Sequence, residues 1–211
     1  MTHTVRALAL PVAALAAAVL LASCGTSTDA DHNAPGMGGS ASSAPGASGT
    51  AAAGAKNDAD IMFATMMIPH HAQAVAMAEQ ALTQGTDTKV KALAPKIKDA
   101  QAPEIARMTG WLTGWGEPVP GTAGGHDMSG AEADGMISTQ QMTDLGAAKG
   151  SAFDRMWLQM MVEHHEGAVA MAKTELADGV NSEAKQLAQA VVDSQSAEIA
   201  QMKSILAAIP G

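Results

Sequence analysis

Two adjacent histidines occur twice in the chain, each time shortly after two adjacent methionines. The segments read MMIPHH, ending at His71, and MMVEHH, ending at His165. Imidazole is a common ligand of copper, zinc, nickel and iron, and the soft thioether of methionine suits Cu(I). Methionine is also frequent, at 15 of 211 residues. The pattern therefore predicts a metal site and favours Cu(I), with iron or zinc as the alternatives.

The candidate ligands share one face of their helices. At about 3.6 residues per turn, the histidines and methionines of each copy fall on or beside the face that must be buried. A glutamate also falls in the core stripe of each partner helix, where a carboxylate is costly unless it is paired or bound to an ion. The candidates are Met66, Met67, His70, His71 and Met77 in the first copy, Met160, Met161, His164, His165 and Met171 in the second, and Glu104 and Glu198 on the partner helices.

Other polar residues are predicted to surround these ligands. The two glutamates serve either as ligands or as hydrogen-bond partners that orient a histidine. Two glutamines in the same stripes and two aspartates near helix N-termini, where carboxylates are stabilising, are predicted as outer partners. These four residues are Gln101, Gln195, Asp60 and Asp154. If imidazoles bind the ion, binding should weaken below about pH 6, where they protonate.

The alternative to a metal site is a hydrogen-bonded cluster of histidine and glutamate that ties the helices together. Methionine at helical spacing is usually a core residue. That interpretation applies to Met62, Met108, Met156 and Met202.

These residues belong to an internal duplication. Residues 60–78 and 154–172 are identical at 11 of 19 positions, and the same offset of 94 residues pairs 101–112 with 195–206, identical at 6 of 12. The shared register includes the gap between the two blocks, so a unit of two helices is present twice.

The duplicated unit predicts an all-α, four-helix bundle made of two antiparallel helical hairpins, plus a short extra helix. Aromatic residues make up only 2% of the chain, which argues against a β-sandwich or barrel. Pro95 and Pro103 predict a kink or a late start in the second helix. The predicted helices are Asp58–Gln84, Thr88–Thr113, a short one from the capping box at Ser138 to Gly146, Ser151–Gly179 and Ser182–Ala208. Repeat 1 then spans about 57–113, the loop and short helix span 114–150, and repeat 2 spans about 151–208.

The N-terminal segment is predicted to be an export signal rather than part of the fold. Residues 1–23 combine Arg6, an apolar run and a small-residue cleavage site. Cys24, the only cysteine, follows Leu-Ala-Ser and resembles the lipidated cysteine of a bacterial lipobox. Residues 24–56 are then a lipidated cysteine and a flexible linker. The alternative is an ordinary secretory signal. The prediction is an extracytoplasmic protein attached to the cell membrane through its N-terminal lipid only.

The glycine-rich loop between the two repeats contains further candidate ligands. Packing does not explain methionine beside histidine in such a loop, so a transient capture segment for copper is predicted there. Its residues are His126, Met128 and Met136.

Several functions are excluded by composition. The net charge of −9 provides no basic surface for nucleic acid. A single cysteine excludes an internal disulfide and any site with several thiolates. The chain contains no nucleophile–base arrangement and no phosphate-binding loop.

The segments MMIPHHAQAVAMA and MMVEHHEGAVAMA resemble the signature of the domain-of-unknown-function family numbered 305. The two Gln-x-x-Glu-Ile-x-x-Met segments agree with that resemblance, which covers about residues 57–211. It implies a ferritin-like four-helix bundle in a secreted bacterial protein. Some members are periplasmic copper-binding proteins that use Met and His, so the doubled histidines and the neighbouring methionines are carried over as candidate ligands. Glu163 stands where the first copy has Pro69, so the two sites differ in charge.

Three functions are therefore in competition. The first is a lipid-anchored metal-binding protein that holds Cu(I) for buffering or tolerance, which the excess of methionine favours. The second is a ferritin-like di-metal oxidoreductase. Di-iron bundles use about four carboxylates and Glu-x-x-His motifs. The core stripes of this chain hold two glutamates and no inward Glu-x-x-His, which argues against an enzyme. The third is a structural or interaction module without metal.

Overall fold

The computed structural model describes residues 54–121 and 134–210, and all regular structure within these ranges is helical. The predicted signal peptide, Cys24, nearly all of the linker, His126 and Met128 lie outside them. The helices are α1 Asp58–Gln84, α2 Thr88–Trp115, α3 Thr139–Ala147, α4 Gly150–Asp178 and α5 Ser182–Ala208. The all-α prediction is confirmed, and the predicted boundaries agree to within two residues.

Side chains that cap the backbone explain where four of the five described helices begin, α4 being the exception. The Asn57 side chain accepts hydrogen bonds from the N–H groups of residues 59 and 60, and Asp87 and Asn181 cap α2 and α5 in the same way. Ser138 and Gln141 form the predicted capping box at the start of α3. Helix α2 begins at Thr88 and continues through both of its prolines, so the late start that they suggested does not occur.

The helices form two hairpins, α1 with α2 and α4 with α5, which pack together mainly through α1 and α4. Two apolar clusters occupy the two ends of this arrangement. One includes Met77, Ile97, Phe153 and Trp157 and lies against α3. The other is built from apolar residues of the opposite halves of the four long helices, among them Phe63, Met67, Met108, Leu112 and Val191. The histidine pairs lie between these clusters along α1 and α4. No helix in the described ranges is long and apolar enough to cross a membrane.

Candidate metal centre

His70 and His164 lie against each other in the middle of the bundle. Their ring centroids are 3.7 Å apart and the ring planes differ by 35°. Both side chains are 0% exposed. The two residues occupy the same position in the two copies, so the packing of α1 on α4 brings equivalent histidines together.

Burial keeps both of these imidazoles neutral. It lowers the pKa of His70 to about 3, with a further contribution from His71, and it lowers the pKa of His164, beside His70, in the same direction. A neutral imidazole has one nitrogen with a free lone pair, which is the form that binds a metal. Protonation of these rings therefore occurs well below the pH of about 6 expected from the sequence.

The hydrogen bonds determine which ring nitrogen of His70 is free. His70 Nε2 lies 3.2 Å from the backbone oxygen of Asp134, and since a carbonyl only accepts, this nitrogen carries the proton. His70 Nδ1 is left with its lone pair and has no hydrogen-bond partner among the described residues. Neither nitrogen of His164 has a partner in the same part of the chain.

The second histidine of each pair is held by the predicted glutamate. His71 Nε2 lies 2.7 Å from Glu104 Oε2, and His165 Nε2 lies 2.7 Å from Glu198 Oε2. Each ring is buried, whereas the glutamate side chains are 18% and 19% exposed. This contact is the one expected of a carboxylate that orients a ring. It is equally the His–Glu bond expected of a cluster without metal.

The structure separates the predicted methionine ligands into three groups. Met67 and Met161 are fully buried and lie one helical turn before the paired histidines, and each also packs in one of the two apolar clusters. Met77 and Met160 belong to the apolar cluster beside α3. The remaining two, Met66 and Met171, line a groove at the other end of the bundle. The methionines predicted to share one site within a single copy therefore lie at different positions along the bundle.

The predicted outer partners also separate. Gln101 and Gln195 are buried in the bundle, and their Oε1 atoms have no hydrogen-bond partner within the described ranges. Asp60 and Asp154 lie away from the histidines. Asp60 accepts hydrogen bonds from the backbone N–H groups of Val180 and Asn181. Asp154 accepts from the N–H groups of residues 86 and 87. Each aspartate therefore holds the turn of the other hairpin.

Sequence reasoning missed the segment that crosses the histidine pair. Asp134–Ile137, called here the crossing segment, follows the glycine-rich loop and includes the predicted ligand Met136, which is half-buried. Gln73 Nε2 donates to the backbone oxygen of Ile137 over 2.7 Å, and the Ile137 N–H donates to Gln73 Oε1 over 2.8 Å. The Asp134 oxygen that accepts from His70 belongs to the same segment.

A glycine in α4 leaves room for the crossing segment. A Cβ atom on Gly167 would lie 1.9 Å from the Asp134 oxygen, which is far inside contact distance. Gly135 has a φ of 79°, a value that glycine adopts without strain. One signal was present in the sequence, since Gly167 is the repeat counterpart of Gln73. The two copies differ there because the Gln73 amide hydrogen-bonds to the segment, whereas Gly167 has no side chain that would collide with it.

The donor set fits a soft metal ion better than a hard one. No group of three or more His, Cys, Asp or Glu side chains in the described ranges could hold a metal ion. Two imidazoles together with the thioethers of Met67 and Met161, one helical turn away, would form a donor set that suits Cu(I). Buried polar atoms without partners cost about 1–3 kcal/mol each. His70 Nδ1 and the lone-pair nitrogen of His164 are satisfied if they bind such an ion, whereas the other nitrogen of His164 carries the proton.

The described chain is thus an all-helical bundle of two duplicated hairpins with an imidazole pair buried between them. Residues 60–206 match the family described as Domain of unknown function (DUF305). The chain belongs to the DUF305 family, as the histidine segments indicated.

Solved structures of DUF305 proteins have the same helical fold. A protein from Streptomyces coelicolor, described as secreted, is 36% identical with a TM-score of 0.64, and the match covers 71% of this chain and 91% of that one. A DUF305 fragment from Deinococcus radiodurans is 29% identical, also with a TM-score of 0.64, over 72% and 97% of the two chains.

CopM is a third structural neighbour. In its Cu(I)-bound form it is 33% identical with a TM-score of 0.60, over 72% of this chain and 98% of that one. CopM is also known in Cu(II)-bound, Ag-bound and apo forms. No curated protein sequence matches this chain.

Proposed function

We propose that this chain is an extracytoplasmic metal-binding protein that holds Cu(I) in the bundle core. The buried, neutral pair of His70 and His164 carries the proposal, because its rings lie 3.7 Å apart and three of its four ring nitrogens lack a partner among the described residues. Met67 and Met161, one turn away, supply thioethers. The Cu(I)-bound form of CopM supports copper as the ion. Buffering of copper or tolerance to it is the corresponding role.

The remaining residues of the centre would fix the orientation of the rings and leave one nitrogen of each free to bind the ion. Glu104 and Glu198 hold the rings of His71 and His165 through Nε2, so that the Nδ1 atoms carry free lone pairs. The Asp134 carbonyl does the same for His70. Complete burial of the four rings excludes water, so a bound ion would exchange only when the bundle or the crossing segment opens.

An anaerobic Cu(I) titration against a chromophoric chelator tests this function. The variant His70→Leu/His164→Leu removes both stacked rings and keeps the core apolar. We expect its affinity to fall at least about 100-fold, which is about 2.7 kcal/mol. The control Glu104→Gln/Glu198→Gln keeps all four rings and should lose less. Circular dichroism verifies that both variants fold. Unchanged affinity in the histidine variant would exclude the core site.

A second candidate is a module without metal. The two His–Glu hydrogen bonds, and the lack of a three-residue His, Cys, Asp or Glu group in the described ranges, favour it. In that case Cu(I) or Ag(I) leaves the thermal unfolding midpoint unchanged, whereas a ligand at 100 times its Kd would stabilise the folded state by about 2.7 kcal/mol. No observation on the described residues favours a di-metal oxidoreductase, since the only carboxylates bonded to the central histidines are Glu104 and Glu198.

Attachment to the membrane through Cys24 is part of the same proposal. It rests on the residues before Cys24, where an apolar run ends in Leu-Ala-Ser. A Cys24→Ala variant should be released from the membrane fraction and should lose incorporation of labelled fatty acid. Incorporation that persists in the variant would place the lipid elsewhere.

A further inference from the structure

A second group of methionines lies in a surface groove outside the histidine centre. The groove has a volume of about 410 Å³, and Met62, Met66 and Met171 line it. Met62 is 59% exposed, so core packing does not explain it and the sequence interpretation of this residue as core is wrong. Two helices contribute, because Met62 and Met66 lie one turn apart on α1 and Met171 lies on α4.

The internal duplication provides a comparison group of methionines within the same chain. The repeat counterparts of the three residues are Met156, Met160 and Met77, which are also methionines. All three belong to or pack against the apolar cluster that includes Leu145 of α3, which is fully buried. The fold therefore contains the same three thioethers twice, covered by α3 at one end and facing solvent at the other.

The surroundings of the two groups of methionines differ in charge as well as in exposure. Asp58 and Asp178 line the open groove, and their repeat counterparts are Ala152 and Gln84. Asp134 adds a third aspartate to the lining, and no lysine or arginine of the described ranges lines the groove. Acidic residues thus occur only where the three methionines are accessible.

This combination suits one class of ligand. Thioethers are soft, neutral donors that bind Cu(I) and its analogue Ag(I) and discriminate against hard cations. Carboxylates around a groove raise the local concentration of cations without binding them tightly.

We propose that the open groove is a second soft-metal site, in which Met62, Met66 and Met171 bind one Cu(I) or Ag(I) ion and the acidic rim attracts it. This site is accessible from solvent, whereas the stacked histidines are not. It does not depend on the histidine centre, and either site can exist without the other.

Silver titrations of the purified protein in nitrate buffer test the proposal, because Ag(I) does not change oxidation state. The groove variant is Met62→Leu/Met66→Leu/Met171→Leu, and the matched control is Met77→Leu/Met156→Leu/Met160→Leu. Leucine conserves the volume of methionine and is usually tolerated in cores. We expect the groove variant to lose one equivalent of bound Ag(I) and the control to lose none. Equal stoichiometry in the groove variant and the wild type would overturn the proposal.

Methionine methyl NMR of the wild type gives a second measurement that does not require a folded variant. Silver should shift the methyl signals of Met62, Met66 and Met171, and this shift should weaken as nitrate salt is raised, since the rim acts electrostatically. Methyl signals of these three residues that do not shift when silver is added would overturn the proposal. Loss of the second equivalent of Ag(I) in the variant His70→Leu/His164→Leu reports on the core site. The two variants therefore test the groove site and the core site independently.

Discussion

At the scale of single residues, burial determines the state of the ionisable groups. His70 and His164 are neutral because their rings are fully buried beside one another. In Glu175, burial shifts the pKa in the opposite direction, because the uncharged form of a carboxyl group is the protonated one. It is 1% exposed, and burial followed by the neighbouring Asp60 raises its pKa from 4.5 to about 8. Glu175 is therefore protonated at neutral pH.

The raised pKa of Glu175 predicts a loss of stability with rising pH. The folded state binds the proton more tightly than the unfolded state, so the contribution is complete below pH 4.5 and is lost as pH rises towards 8. The decrease is at most about 1.4 kcal/mol per pH unit, the limit for one proton. In Glu175→Gln this decrease should disappear in urea unfolding between pH 5 and 8.

The exposed Glu163 on the same helix supplies the control. Glu163→Gln should retain the wild-type dependence on pH. An unchanged slope in Glu175→Gln would mean that the carboxyl group ionises normally in the folded protein.

At the scale of elements, the crossing segment Asp134–Ile137 is the part that the two repeats do not share. It is held by the Gln73 amide on α1 and by the space above Gly167 on α4. Its backbone also bonds to His70. The stability of this segment is therefore coupled to the geometry of the histidine pair.

Substitution of Gly167 by alanine should displace the crossing segment. The added Cβ atom would meet backbone atoms of Asp134, so we expect a loss of about 1–3 kcal/mol in the free energy of unfolding. A Cβ atom on Gly110 in α2 would instead meet nothing within 4 Å, and Gly110→Ala should stabilise the protein by about 0.5–1 kcal/mol. Urea denaturation measures both. Equal effects of the two changes would show that the segment does not rest on Gly167.

At the scale of the whole molecule, each hairpin contributes one aspartate that accepts hydrogen bonds from the turn of the other hairpin. Asp60 on α1 binds the turn between α4 and α5, and Asp154 on α4 binds the turn between α1 and α2. Because α1 and α4 are antiparallel, these contacts lie at opposite ends of the bundle. They fix the register of one hairpin on the other.

Removal of either carboxylate should destabilise the fold. Hydrogen bonds to a charged group contribute about 1.5–3 kcal/mol, so Asp60→Ala and Asp154→Ala should each cost about that much. The two sites share no partner, and the double variant should be additive within about 0.5 kcal/mol. Chemical denaturation of the single and double variants tests this. A strongly non-additive result would indicate that the two ends of the bundle are coupled.

Local features explain what the sequence determined by itself. Helix ends depend on caps such as Asn57, Ser138 and Asn181, whose partners lie two or three residues away, and the predicted boundaries agree with the structure. The duplication is likewise a property of the chain alone, and with helical spacing it placed His71 and Glu104, and their repeat mates, in facing core stripes.

Contacts between distant helices were decided only by the tertiary structure. Residues of the two copies meet where α1 packs on α4. The equivalent His70 and His164 lie against each other, and Met66 shares a groove with Met171, which is the repeat counterpart of Met77. A helical projection shows which face of one helix is buried but not which residues of another helix it meets. The covering of one methionine group by α3, and the exposure of its repeat counterpart, depend on the same packing.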